Sequence, residues 1–154
     1  MKSDYLEYIT SASIAATRGK TTILGKSEKF EFLDSYFNYF GTDIPSIDTA
    51  RAQIDVFELK KDAQFGQMFG SLGDIKNLQL TQGQIVRLCV MHRHLLNETR
   101  FTFIPFAAGE QNFVALVSRF EKRIEIRIRP YPYNAGPNSL YYGSSGHRLI
   151  VLRQ

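Results

Sequence analysis

Tryptophan is absent from this chain, and cysteine occurs once, at Cys89. A lone thiol closes no internal disulfide, so no disulfide framework holds the fold, and the composition suits a reducing compartment. Long apolar stretches are missing too. The longest run, residues 113–117, is far short of the ~20 residues that a membrane-spanning helix requires. Asp4 and Glu7 fall where a secretory signal would need its apolar segment, which argues against one. With 154 residues, 44% of them hydrophobic, the chain has material for a core. The expectation is one cytoplasmic domain over 1–154 with no membrane association.

The usual signatures of cofactor chemistry are also missing. Zinc takes four ligands, or three and a water. The nearest set is Cys89, His92 and His94, and only the first two share a helix face. That spacing predicts a buried thiol beside a helix-edge histidine, with no metal and no activated Cys–His pair. Gly19-Lys20-Thr21 and Gly25-Lys26-Ser27 each resemble the end of a phosphate-binding P-loop. The motif needs a glycine five positions ahead of its Gly-Lys pair, whereas Gly19 stands six ahead of Gly25. No cofactor is expected.

Charge is present but unevenly placed. Residues 1–77 carry nine Lys and Arg against eleven Asp and Glu, and residues 78–154 carry ten against four. The net charges are therefore −2 and +6 within a total of +4. Nine of the ten cations in the second half are Arg. The planar Arg fork matches phosphate and carboxylate and stacks on aromatic rings. Such asymmetry points to a nucleic acid or an acidic protein as partner. The competing explanation is that the acidic half packs against the basic half.

Spacing divides the chain in the same place. Phe30, Leu33, Phe37 and Phe40 recur at intervals of three and four between Ser27 and Gly41, which predicts an aromatic helix. Pro45 and Ser46 open a second helical pattern through Ile47, Ala50, Ile54 and Phe57. Phe65, Met68, Phe69 and Leu72 predict a short helix closed by Gly73, and residues 1–18 carry only a vague helical stripe. The clearest start is at Thr81, where Thr81 and Gln84 form a capping box ahead of Ile85, Leu88, Cys89 and His92, with Asn97 as the end. Beyond it the period falls to two, predicting strands at 101–106, 113–118, 123–129 and 148–153. Loops are expected at 107–112 and 119–122, and a long one rich in Pro, Gly and Tyr at 130–146. The expected fold is α+β: N-terminal helices packed on one side of a four-stranded antiparallel β-meander, with 1–78 mainly helical and 79–154 a capped helix plus the sheet.

Several of these segments together resemble a group of short uncharacterised bacterial proteins from uncultured lineages. They are Phe57-Glu58-Leu59, Met68 to Gly73, Leu80 to Ile85, Phe101-Thr102-Phe103, Asn112 to Ala115 and His147 to Val151. In that group a Leu-Thr-x-x-Gln-Ile helix precedes an aromatic β-meander ending in His-Arg and an apolar strand. The resemblance covers roughly residues 55–153 and implies one domain and no particular activity.

Candidate functional residues follow from the last half. Ile124, Ile126 and Ile128 alternate with Arg123, Glu125, Arg127 and Arg129, so the cations share one sheet face. Tyr131, Tyr133, Tyr141 and Tyr142 lie in the adjoining loop. Cations that track phosphates, interleaved with rings that stack on bases, are the ingredients of single-strand nucleic-acid binding. The first expectation is therefore a non-enzymatic module that binds an anionic partner through Arg123, Arg127, Arg129 and the four tyrosines. A protein–protein domain docking through its aromatic helices is the alternative. A small or toxin-like ribonuclease is the third, with Glu125 as base, His147 as acid and Arg127 on the phosphate.

Overall fold

The computed structural model describes residues 3–131 and 142–153, with Tyr142 and Gly143 described in their backbone alone. In chain order the elements are β1 (Leu6–Ile14), a 3-10 helix (Leu24–Lys29), β2 (Phe32–Leu33), α1 (Tyr36–Tyr39), β3 (Ala52–Leu59), β4 (Ala63–Gln64), α2 (Phe65–Gly70), α3 (Ile75–Leu78) and α4 (Gln82–Met91). A 3-10 turn (Arg93–Leu95), β5 (Thr102–Ala108), β6 (Gln111–Phe120), β7 (Arg123–Tyr131), β8 (Tyr142–Gly143) and β9 (Arg148–Leu152) follow. Seven strands form one sheet in the order β1-β3-β9-β5-β6-β7-β2, and β4 pairs with β8 in a second, two-stranded ladder. Among the described residues no helix is long and apolar enough to cross a membrane.

The expected architecture is corrected by this sheet. Helices do not dominate the first half, and the sheet is neither four-stranded nor wholly antiparallel. β5, β6 and β7 form an antiparallel meander as the alternating pattern predicts. The last strand does not extend it. β9 lies parallel to β5 and antiparallel to β3, so the meander's edge is built on by strands from the N-terminal half.

The helical spacings of the first half have particular physical causes. In β3, Ile54 and Val56 are buried on one face while Asp55 and Phe57 face the other. Ile54 and Phe57 also satisfy a spacing of three, so a period-two strand mimics a helix over so short a window. Ile47, the first residue of that apparent stripe, is 75% exposed. Between residues 27 and 41 the aromatic stripe is interrupted by pairing to β7. The amides of Glu31 and Asp34 donate to the carbonyls of Ile124 and Ile126 at 2.9 and 3.1 Å. Asp34 then accepts the Tyr36 amide at 2.6 Å, a local turn that competes with helix and leaves only the four residues of α1. Residues 1–18 provide β1, whose partner is β3.

The capped helix is as expected at its start. Thr81 Oγ1 accepts the Gln84 amide at 3.1 Å and Gln84 Oε1 accepts the Thr81 amide at 2.9 Å. Its end is earlier than Asn97, because His92 leaves helical geometry at φ −130°, ψ 33°. α2 also forms where predicted, burying Phe65, Met68 and Phe69.

Both sheet faces are covered, but unequally. α4, the first 3-10 helix and Phe37 of α1 pack on the face that carries Ile54, Ile104, Phe113, Ala115, Ile126 and Ile128. α2 and α3 cover part of the other face, over Phe103, Val114, Leu149 and Val151. Each fully buried large apolar side chain contributes roughly 1.5–3 kcal/mol, so the two layers are the main source of stability. The part of the second face beyond α2 and α3 holds the candidate site.

Candidate nucleic-acid interface

Register fixes which side chains share this uncovered area. Ser118 stands opposite Glu125, Leu116 opposite Arg127 and Val114 opposite Arg129. The adjoining strand ends bring in Phe101 and His147, since Thr102 pairs with Arg148 across β5 and β9. Together they form a cleft of about 540 Å³ lined by Glu98, Thr99, Arg100, Phe101, Ser118, Arg119, Phe120, Glu125, Arg127 and His147.

The predicted binding residues divide three ways. Arg127 lines the cleft; its Nη1 is 3.3 Å from Glu125 Oε1, and its guanidinium lies 5.0 Å from the Phe32 ring centre. Arg129 is held elsewhere, with Nη1 3.0 Å from Asp34 Oδ2 and the guanidinium 5.3 Å from the Tyr36 ring centre. Arg123 is exposed at the start of β7 and does not line the cleft. Tyr131 is not a displayed stacking ring. It is half-buried with its ring 6.0 Å from Phe69, edge to face, and burial, with Asp74 adding to it, raises its pKa. Tyr133 and Tyr141 lie outside the described residues; Tyr142 is in β8, and its side chain is outside them too.

The three residues assigned to the ribonuclease reading do line one cleft. His147 is half-buried, stacked on Phe101 at 5.9 Å and 12° and on Phe103 at 5.1 Å and 29°. Its Nδ1 accepts the Phe101 amide at 3.0 Å, which places the proton of the neutral ring on Nε2. Burial holds its pKa below the ordinary 6.5, and the charge of Arg100 acts in the same direction. Glu125 is on the opposite wall. β9, β5, β6 and β7 are successive neighbours, so the backbones of His147 and Glu125 stand about three strand spacings, roughly 14 Å, apart.

Charge in the cleft is mixed. Arg119 pairs with Glu98 at 3.3 Å and also donates to the Arg93 carbonyl at 3.1 Å. Both ion pairs of the cleft are partly exposed, the class of pair worth about 0–1 kcal/mol, so a phosphate can compete for either Arg. Arg100 is exposed and forms no ion pair among the described residues. Phe120 is 56% exposed at the rim. Arg100, Arg119, Phe101 and Phe120 were not singled out from the sequence. Alternation does place Phe120 on the face of Ser118, but only register brings a loop Arg and a hairpin-end Arg beside β7.

The aromatic helix of the docking alternative is short. Phe37 is fully buried, while Tyr36 and Tyr39 are 42% and 77% exposed and pack edge to face at 6.1 Å. Cys89 is buried, and burial pushes its thiol up to about 12. Among the described residues no group of three or more His, Cys, Asp or Glu is placed to hold a metal. Gly25-Lys26-Ser27 falls within the first 3-10 helix, not on a strand-to-helix phosphate turn. No protein-family model, curated protein or solved structure matches the chain.

Proposed function

We propose that this chain binds single-stranded nucleic acid, with one or two nucleotides seated in the cleft between β9 and β7. The supporting observation is the convergence of Arg100, Arg119 and Arg127 with the rings of Phe101 and Phe120 around about 540 Å³. That volume is within the roughly 300–1,000 Å³ of small-ligand sites. Cations beside sequence-tolerant stacking rings match the demands of an unpaired strand. Arg123 adds long-range attraction at the edge, and Arg129 and Tyr131 support the strand that carries Arg127.

Binding without cleavage is the reading that the partners of Glu125 and the burial of His147 favour. A general acid or base must come within about 2.6–3.2 Å of the atom it serves. Glu125 is already paired with Arg127 at 3.3 Å, and burial holds the His147 pKa below 6.5, which disfavours the protonated ring that a general acid needs. The neutral, stacked His147 instead offers Nε2–H as a hydrogen-bond donor.

The test is a titration of labelled short RNA and matched duplex DNA at low and moderate salt, with strand length read on the same samples. Three phosphate contacts predict that affinity for the single strand falls roughly 20-fold between 50 and 200 mM salt. The duplex binds less tightly and the RNA stays intact. Salt-independent binding contradicts the proposal, and shortened RNA restores the ribonuclease.

A further inference from the structure

A second groove lies on the other side of the sheet, where α4 meets the first 3-10 helix. It encloses about 470 Å³, and Arg18, Lys26, Lys29 and Arg87 line it together with Val90 and Met91. Among the described residues no Asp or Glu lines it. None of the four cations forms an ion pair among the described residues, whereas Arg119, Arg127, Arg129 and Arg153 all do.

The walls of this groove are fixed from behind. Gln82, buried in the first turn of α4, accepts the Ile23 amide at 3.0 Å and donates to the Thr42 carbonyl at 2.8 Å. That bridge ties the entry of the 3-10 helix to α4, and buried Phe30 holds its exit, so Lys26 and Lys29 are carried on a tethered element. On the other wall Gly83 lets the chain at Arg18 approach closely. A Cβ there would sit 3.1 Å from the Arg18 carbonyl oxygen and 3.2 Å from Thr17 Oγ1. Thr17 is itself fastened to Thr49 by two backbone hydrogen bonds of 3.0 and 2.9 Å.

Four like charges around one small volume repel one another and raise the local potential, which a multivalent anion relieves. The apolar end, with Met91 64% exposed, offers a surface for a flat uncharged body. We infer that this groove binds a nucleoside polyphosphate, its phosphate chain among Arg18, Lys26, Lys29 and Arg87 and its base over Val90 and Met91. The Lys side chains act as point charges on phosphate and the Arg forks as bidentate donors. The site is independent of the cleft between β9 and β7.

Calorimetric titration of the full chain with ATP, inorganic tripolyphosphate and adenosine tests this. ATP binds, tripolyphosphate binds more weakly, and adenosine gives no measurable heat. Lys26→Glu and Arg87→Gln each weaken ATP by roughly tenfold or more, the size of a lost charge-assisted contact. Lys76→Glu, which changes net charge as much on α3, and Arg100→Glu in the first cleft each leave it within about twofold. Circular dichroism confirms that each variant is folded. No binding of ATP, equal losses for Lys76→Glu and Lys26→Glu, or loss only with Arg100→Glu overturns the inference. Tripolyphosphate binding as tightly as ATP overturns the base-stacking half of it.

Discussion

Arg129 and Asp34 are ion-paired at 3.0 Å, and the same carboxylate accepts the amides of Tyr36 at 2.6 Å and Ile128 at 3.3 Å. Asp34 is only 8% exposed. The pair therefore fastens the β2–α1 segment to β7 and closes the edge of the sheet. Spacing assigns Arg129 to the partner-binding face, and here its guanidinium is engaged by Asp34. Asp34→Ala leaves Arg129 short of its carboxylate and removes an acceptor from two amides. It should cost about 2–4 kcal/mol, seen as a lower urea midpoint. Arg129→Gln should lower the midpoint too and leave RNA affinity nearly unchanged; a large affinity loss in the folded variant would return Arg129 to the interface.

Gly146 has φ +97°, and a Cβ placed there would lie 2.9 Å from Arg100 Nε and 3.0 Å from its Cδ. Gly146→Ala combines a strained backbone, about 1 kcal/mol, with displacement of the Arg100 side chain. The variant should unfold at slightly lower urea and bind RNA less tightly. Full affinity at reduced stability would separate the turn from the cleft.

The strand half of this architecture was legible for a simple reason. Ile124, Ile126 and Ile128 alternate with charged residues without exception, and Thr81 with Gln84 marks a helix start that needs no tertiary help. The first half was not legible because its rings serve different surfaces. Phe37 is buried, Phe32 lies beneath Arg127, and Tyr36 beneath Arg129, yet all fall at helical spacings. Nothing local reveals that residues 31–34 pair with β7 or that β9 enters beside β5. Glu125, Arg127 and His147 could be named by residue type alone. That Arg100 and Arg119 join them, and that Arg129 does not, depends on register and a loop.

His147 supplies a pH signature. Its pKa is lowered from 6.5, chiefly by burial with the Arg100 charge adding to it, so the unfolded chain binds a proton more readily than the folded one. The stabilisation is complete above about pH 6.5 and is lost as pH falls through the lower folded value. His147→Asn keeps an acceptor for the Phe101 amide but does not titrate. Thermal midpoints measured between pH 5 and 8 should therefore fall less steeply on the acid side in the variant. Parallel curves would mean that His147 is not the titrating group.

Cys89 should be inert while the chain is folded. It is fully buried, and its thiol pKa of about 12 leaves almost no thiolate at neutral pH. A chromogenic disulfide reagent should react slowly in buffer and rapidly in denaturant, so that labelling reports unfolding. Fast labelling of the native chain would contradict the burial.

On the proposed function, the cleft and not the basic half at large takes the nucleic acid. Arg100→Glu and Arg123→Glu change net charge equally, but only Arg100 lines the cleft. Fluorescence anisotropy with a labelled short single-stranded RNA, at one fixed low salt, compares them directly. Arg100→Glu should bind roughly tenfold more weakly, and Arg123→Glu should change affinity by about threefold or less. Equal losses would assign the affinity to diffuse charge, and unchanged binding in Arg100→Glu would remove the cleft from the interaction.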